Sequence, residues 1–116
     1  MTREIVDQIC ASLPGAIWED EADGAIPSWK IGGKMFATLG HRADGVSVKT
    51  QSVEDATLLI EMGAAQKAKY FHASWVRIPL DLPESELRVR LEISYQIVLA
   101  SFSKKKQAEL TGPVPR

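Results

Sequence analysis

Apolar residues recur along this chain with two periods, and the switches between them mark its elements. Ile5, Val6, Ile9, Cys10 and Leu13 stand three and four apart. That spacing predicts an amphipathic helix, capped by Thr2 and stopped at Leu13-Pro14-Gly15. Ile17 and Trp18 then mark a short strand before the acidic run Glu19-Asp20-Glu21. Adjacent carboxylates in an extended chain point apart, so the run is a solvated turn rather than an acid-base pair. In Trp29-Lys30-Ile31-Gly32-Gly33-Lys34-Met35-Phe36 the two glycines suit a tight hairpin, because both central residues of such a turn need φ > 0. A phosphate loop is excluded, since the residue after Lys34 is Met35 and no earlier glycine stands at the G-x-x-x-x-G-K-[ST] distance.

The hairpin predicts the pairs Ile31 with Lys34, Lys30 with Met35 and Trp29 with Phe36. Trp29, Ile31 and Phe36 then share the core face, and Ser28, Lys30, Met35 and Ala37 the other. After a loop from Gly40 to Gly45, Val46-Ser47-Val48-Lys49-Thr50 alternates as a strand. Ser52 with Asp55 resembles a capping box and opens a short helix through Ala56, Leu59 and Ile60 that ends near Gly63. Lys69 to Asp81 is the next strand, with Val76, Ile78 and Leu80 on one face and Trp75, Arg77 and Pro79 on the other. Pro79 lacks an N–H and belongs at its end or on an edge. Pro83-Glu84 starts a last helix of about five turns, whose stripe is Leu87, Leu91, Tyr95, Val98 and Phe102. Lys104-Lys105-Lys106 sits at its negative end, where cations are favoured. The expected organisation is one domain over residues 1–106 and a flexible tail over 107–116.

Composition narrows the class. With 116 residues, 45% hydrophobic and 25% charged, the chain has the balance of one globular domain. The single cysteine, Cys10, excludes an internal disulfide and suits a reducing compartment, as a small buried apolar residue. No segment approaches the roughly 20 apolar residues that span a bilayer. A cytoplasmic protein with no membrane contact is expected. The two histidines, His41 and His72, stand in no ligand spacing, so neither a metal nor another cofactor is expected. Ser74 and His72 invite a Ser-His-Asp drawing, but no G-x-S-x-G elbow supports one. No catalytic residue is assigned, and the chain is not read as an enzyme.

Charge adds one feature. The net charge is -1, but Glu4, Asp7, Glu19, Asp20, Glu21 and Asp23 face only Arg3 in residues 1–26, while lysine and arginine are in excess after Pro27. If the helices cover the valine face, the opposite face gathers Lys30, Met35, Ser47, Lys49, Trp75 and Arg77. Such a face suits weak, salt-sensitive DNA binding. Lys30, Lys49 and Arg77 would hold phosphates, Trp75 would pack on sugar or base, and Lys34 would act as a wing contact at the hairpin tip. Two other readings compete: a protein-interaction or small-ligand module using Trp75 and Met35 as apolar anchors, and a face simply closed by the middle helix or by Trp75 itself.

The ordered set Leu13-Pro14-Gly15-Ala16, Trp29 to Ala37, Val46 to Thr50, Trp75-Val76 with Leu80-Asp81, and Ser94-Tyr95 resembles the MmcQ/YjbR family. The likeness runs from Thr2 to about Lys106. It implies a single α+β domain of frataxin-like (CyaY-like) arrangement, an antiparallel sheet with the helices from both chain ends on one face. It also implies DNA binding by likeness to double-wing transcription-factor domains, with Lys30, Lys34, Lys49 and Trp75 matching the family's positions. The iron binding of frataxin-like folds would need an acidic ridge along the first helix, which here offers Glu4 and Asp7 only. Family members often carry histidine directly before the strand tryptophan, where this chain has Ser74 and, two positions earlier, His72.

Overall fold

A computed structural model describes residues 3–20, 27–39, 45–69 and 71–112. The N-terminal stripe folds as α1 (Arg3–Ala11) and buries Val6, Ile9 and Cys10. Then follow β1 (Ile17–Glu19), β2 (Ser28–Ile31), β3 (Lys34–Thr38), β4 (Gly45–Lys49), α2 (Val53–Glu61), β5 (Gln66–Lys67), β6 (Trp75–Pro79), α3 (Glu84–Ala100) and α4 (Lys104–Thr111). The strands form one six-stranded sheet in the order β1-β2-β3-β4-β6-β5, every pair antiparallel. α3 lies across β2, β3 and β4 with α1 beside it, and α2 covers β5 and β6. This is the α+β arrangement expected from the sequence. Thr2, His41 and residues 113–116 lie outside the described residues.

Gly32 and Gly33, at φ 62° and 84°, make the hairpin turn, and the pairs Ile31–Lys34 and Lys30–Met35 form as expected. The third pair does not. Between Trp29 and Lys30 the register shifts, and Trp29 pairs with Ala37 instead of Phe36. Phe36 is the extra residue of a bulge, a device that lets two successive side chains serve one face. Phe36 and Ala37 are accordingly both fully buried, Phe36 edge-on to Tyr95 of α3 with ring centroids 5.4 Å apart. Ala37 thus leaves the face predicted for it and joins the core. Trp29 keeps the core face, where its Nε1 donates to Asp7 of α1 at 2.9 Å.

The bulge leaves a gap between β3 and β4, whose ladder holds Ala37–Val48 and Thr38–Ser47. The hydroxyl of Ser94 fills it. Ser94 is fully buried on α3, donates to the Phe36 carbonyl at 2.6 Å and accepts from the Lys49 amide at 2.9 Å. One helix side chain therefore supplies both bonds that a neighbouring strand would have made. The next residue, Tyr95, donates its phenol to the Pro14 carbonyl and ties the end of α1 to α3.

Two expectations fail in the last third. The strand expected from Lys69 is limited to Trp75–Pro79; Trp75 N–H donates to the His72 carbonyl at 2.9 Å, so a turn precedes it. The last helix breaks at Ser101-Phe102-Ser103, and Ser103 caps α4 by accepting from the Lys106 amide at 3.2 Å. Lys104-Lys105-Lys106 therefore lie at the positive end of α4, not the negative end of α3, and the helix dipole does not favour them. Residues 107–111, expected in the tail, are helical, and Leu110 packs against the core.

Candidate functional site

Two rows of residues cross all six strands side by side. Trp18, Trp29, Ala37, Val48, Val76 and Lys67 are successive cross-strand partners, and so are Glu19, Ser28, Thr38, Ser47, Arg77 and Gln66. Neighbouring residues of a strand point to opposite faces, so the first row meets the helices and the second lies on the far face. The second row is polar throughout. Lys49, paired with Trp75, and Lys30, paired with Met35, share its face.

The structure thus brings Lys49, Trp75 and Arg77 together where β4 and β6 meet. Lys30 stands on β2, two strands from β4, or about 10 Å at the usual strand spacing. Its ammonium is bound to Glu19 at 2.9 Å. Lys34 is not part of the group. Opposite Ile31, it turns to the helix side, where its Nζ donates to Ser101 Oγ at 3.2 Å and lies 4.7 Å from the Phe102 ring centre.

The face is not the open surface its sequence pattern suggests. Thr38 is 4% exposed, Ser47 8% and Trp75 9%. Trp75 is stacked by Phe71 from the preceding turn, with centroids 5.1 Å apart and planes at 26°. Phe71, which the sequence pattern did not single out, therefore forms the outer layer of the aromatic pair. Ser28 is fully buried, and its hydroxyl is the one buried side-chain N or O without a hydrogen-bond partner among the described residues. Arg77 reaches across to β4 over Gly45. A Cβ on that glycine would lie 2.7 Å from Arg77 Cζ, so the missing side chain is what lets the guanidinium lie there.

Ser74, 4% exposed, joins the turn to β4. Its amide donates to His72 Nδ1 at 3.1 Å, which fixes Nδ1 as an acceptor. Its hydroxyl then donates to the same nitrogen at 2.9 Å and accepts from Lys49 Nζ at 3.2 Å. The Ser74 carbonyl takes the Thr50 amide at 2.8 Å and hydroxyl at 2.7 Å. These bonds clamp the aromatic turn to β4 and orient Lys49. They do not aim a nucleophile at solvent, and among the described residues no carboxylate is a partner of His72. The thiol of Cys10 offers no alternative, because burial, reinforced by the charge of Asp7, pushes its pKa up. Among the described residues no group of three or more His, Cys, Asp and Glu could hold a metal ion, and no helix is long and apolar enough to cross a membrane.

Comparison with known proteins agrees with the fold. The crystal structure of the Deinococcus radiodurans protein DR2400, described with a DUF419 domain, superposes with a TM-score of 0.81 at 23% identity, over 97% of this chain and 89% of that one. No curated protein matches the sequence. The YjbR family model matches residues 11–97, from the end of α1 to the last turn of α3. It spans the hairpin, the bulge, the hydroxyl row and Ser94, and the chain belongs to the YjbR family.

Proposed function

We propose that this YjbR-family chain is a non-enzymatic, cytoplasmic module that binds DNA weakly through its phosphates, at the junction of β4 and β6. The carrying observation is the common face of Lys49 and Arg77 on adjacent strands, with Lys30 about 10 Å further along the same face. Cations gathered on one face in this way can neutralise several phosphates of a nucleic acid. Lys49 is pre-oriented by Ser74, and Arg77 by its seat on Gly45. Lys30 contributes once a phosphate displaces Glu19. Phe71, rather than the covered Trp75, offers its ring to sugar or base. The rival in which Trp75 and Met35 anchor an apolar partner is weakened by the burial of Trp75.

Fluorescence anisotropy with duplex and single-stranded oligonucleotides tests the reading. Three phosphate contacts on duplex predict a log–log salt slope of about -2.7. Arg77→Glu should flatten that slope and weaken binding, while Glu19→Gln should tighten binding by releasing Lys30. Lys34→Ala, on the helix side, should change little. Absence of binding at low salt overturns the proposal.

A further inference from the structure

Beside α1, the tryptophan end of the apolar row leaves a cleft of about 430 Å³, lined by Arg3, Asp7, Gln8 and Ala11 of the helix and by Trp18 and Trp29 of the sheet. A guanidinium already sits in its polar part. Arg3 places its Cζ 4.8 Å from the Trp18 ring centre and donates from Nε to Asp7 Oδ2 at 3.1 Å. The groups around that guanidinium are held by the core rather than by Arg3. Trp29 is 8% exposed and its Nε1 donates to the other oxygen of Asp7 at 2.9 Å, while Trp18 packs on Trp29 with ring centroids 5.9 Å apart and planes at 58°. Arg3, in contrast, opens α1, where a helix has the fewest backbone bonds, and its side chain is 38% exposed. A fixed receptor thus faces an occupant that can be exchanged.

We propose that this cleft recognises an arginine side chain of a basic polypeptide, which takes the place of Arg3 between Trp18 and Asp7. The chemistry selects guanidinium over ammonium. A planar, weakly hydrated cation lies flat on an indole while an N–H at its edge reaches the carboxylate, whereas an ammonium loses more on leaving water. The cleft continues past Arg3 to Gln8 and Ala11, which gives room for the stem of the incoming side chain. Charge selects a polypeptide over free arginine. Residues 1–26 carry Glu4, Asp7, Glu19, Asp20, Glu21 and Asp23 against Arg3 alone, a balance that attracts a chain bearing several cations and repels the α-carboxylate of the free amino acid. Trp18 and Trp29 belong to the row that meets the helices, so the cleft is on the opposite side of the sheet from Lys49 and Arg77 and is separate from any DNA contact there.

Proton–nitrogen NMR of the full chain tests it, because the indole N–H of Trp29 reports on its bond to Asp7. The probe is the blocked peptide acetyl-Gly-Arg-Gly-Arg-Gly-amide. In Arg3→Ala, which vacates the cleft, the Trp29 signal should move saturably, with a dissociation constant at least about threefold below that of the parent chain, where Arg3 competes as a tethered ligand. In that background Asp7→Asn, which keeps an oxygen for Trp29 Nε1, and Trp18→Leu should each weaken binding at least about fivefold. The same peptide with lysine for arginine, and free L-arginine, should each bind at least about threefold more weakly. An unmoved Trp29 signal in Arg3→Ala at millimolar peptide overturns the proposal, and so does unchanged affinity in Asp7→Asn. Equal binding of the lysine peptide overturns it too, since only diffuse attraction is then at work, and free arginine binding as tightly as the peptide overturns the assignment to a polypeptide.

Discussion

The row Trp18–Trp29–Ala37–Val48–Val76 and the row Glu19–Ser28–Thr38–Ser47–Arg77 cross the same strands one residue apart, and both are largely buried. In the first, burial follows from chemistry: apolar side chains meet α1 and α3, and the bulge at Phe36 adds a second large group to the same face. In the second, hydroxyls are buried at a cost in hydration. Thr38 offsets it by donating to the Pro27 carbonyl at 2.8 Å, whereas Ser28 has no partner among the described residues. Stability resides in the first row, while the second sacrifices some of it to keep polar groups beside Arg77 and Lys49.

Substitutions can break this contrast, and the largest effect belongs to the bulge. Phe36→Ala should cost about 3–5 kcal/mol in urea unfolding, since the ring is fully buried against Tyr95. Ser94→Ala should cost about 1–3 kcal/mol by stranding the Phe36 carbonyl and the Lys49 amide. Because Lys49 is held there, DNA affinity should fall as well. On the polar row the sign reverses: Ser28→Ala should stabilise, by up to about 1 kcal/mol, because it removes a buried hydroxyl with no hydrogen-bond partner among the described residues. A loss of stability in that variant would contradict the contrast. Gly45→Ala should cost no more than about 1 kcal/mol of unfolding free energy in urea, since the far end of the Arg77 side chain can move aside. It should weaken DNA binding nonetheless, by moving Arg77 from its seat.

Most elements are legible in the sequence because their signals are local. The stripe of α1, the Gly32-Gly33 turn, the alternation of β4 and the Ser52 cap each lie within a few residues, and each forms as read. The misreadings share a physical cause. A two-residue turn dictates register only beside itself, so the Phe36 bulge is invisible until α3 presses Tyr95 and Ser94 against β3. Phe102 stands in phase with the α3 stripe, which hides a break made by the Ser103 cap. Lys104 to Lys106 consequently read as the end of α3, whereas they open α4. At the site, alternation correctly put Lys30, Lys49 and Arg77 on one face, but it carries no information on what lies above it. The Phe71 stack and the Ser74 clamp join a turn to a strand, and no period connects the two.

The most direct test is to follow backbone amide chemical shifts while a short duplex is added at low salt. If the junction of β4 and β6 meets phosphate, shifts should concentrate in Gly45–Lys49, Phe71 and Trp75–Pro79, and vanish as salt rises. Shifts confined to Lys104–Lys106 of α4, or none at all, would contradict it.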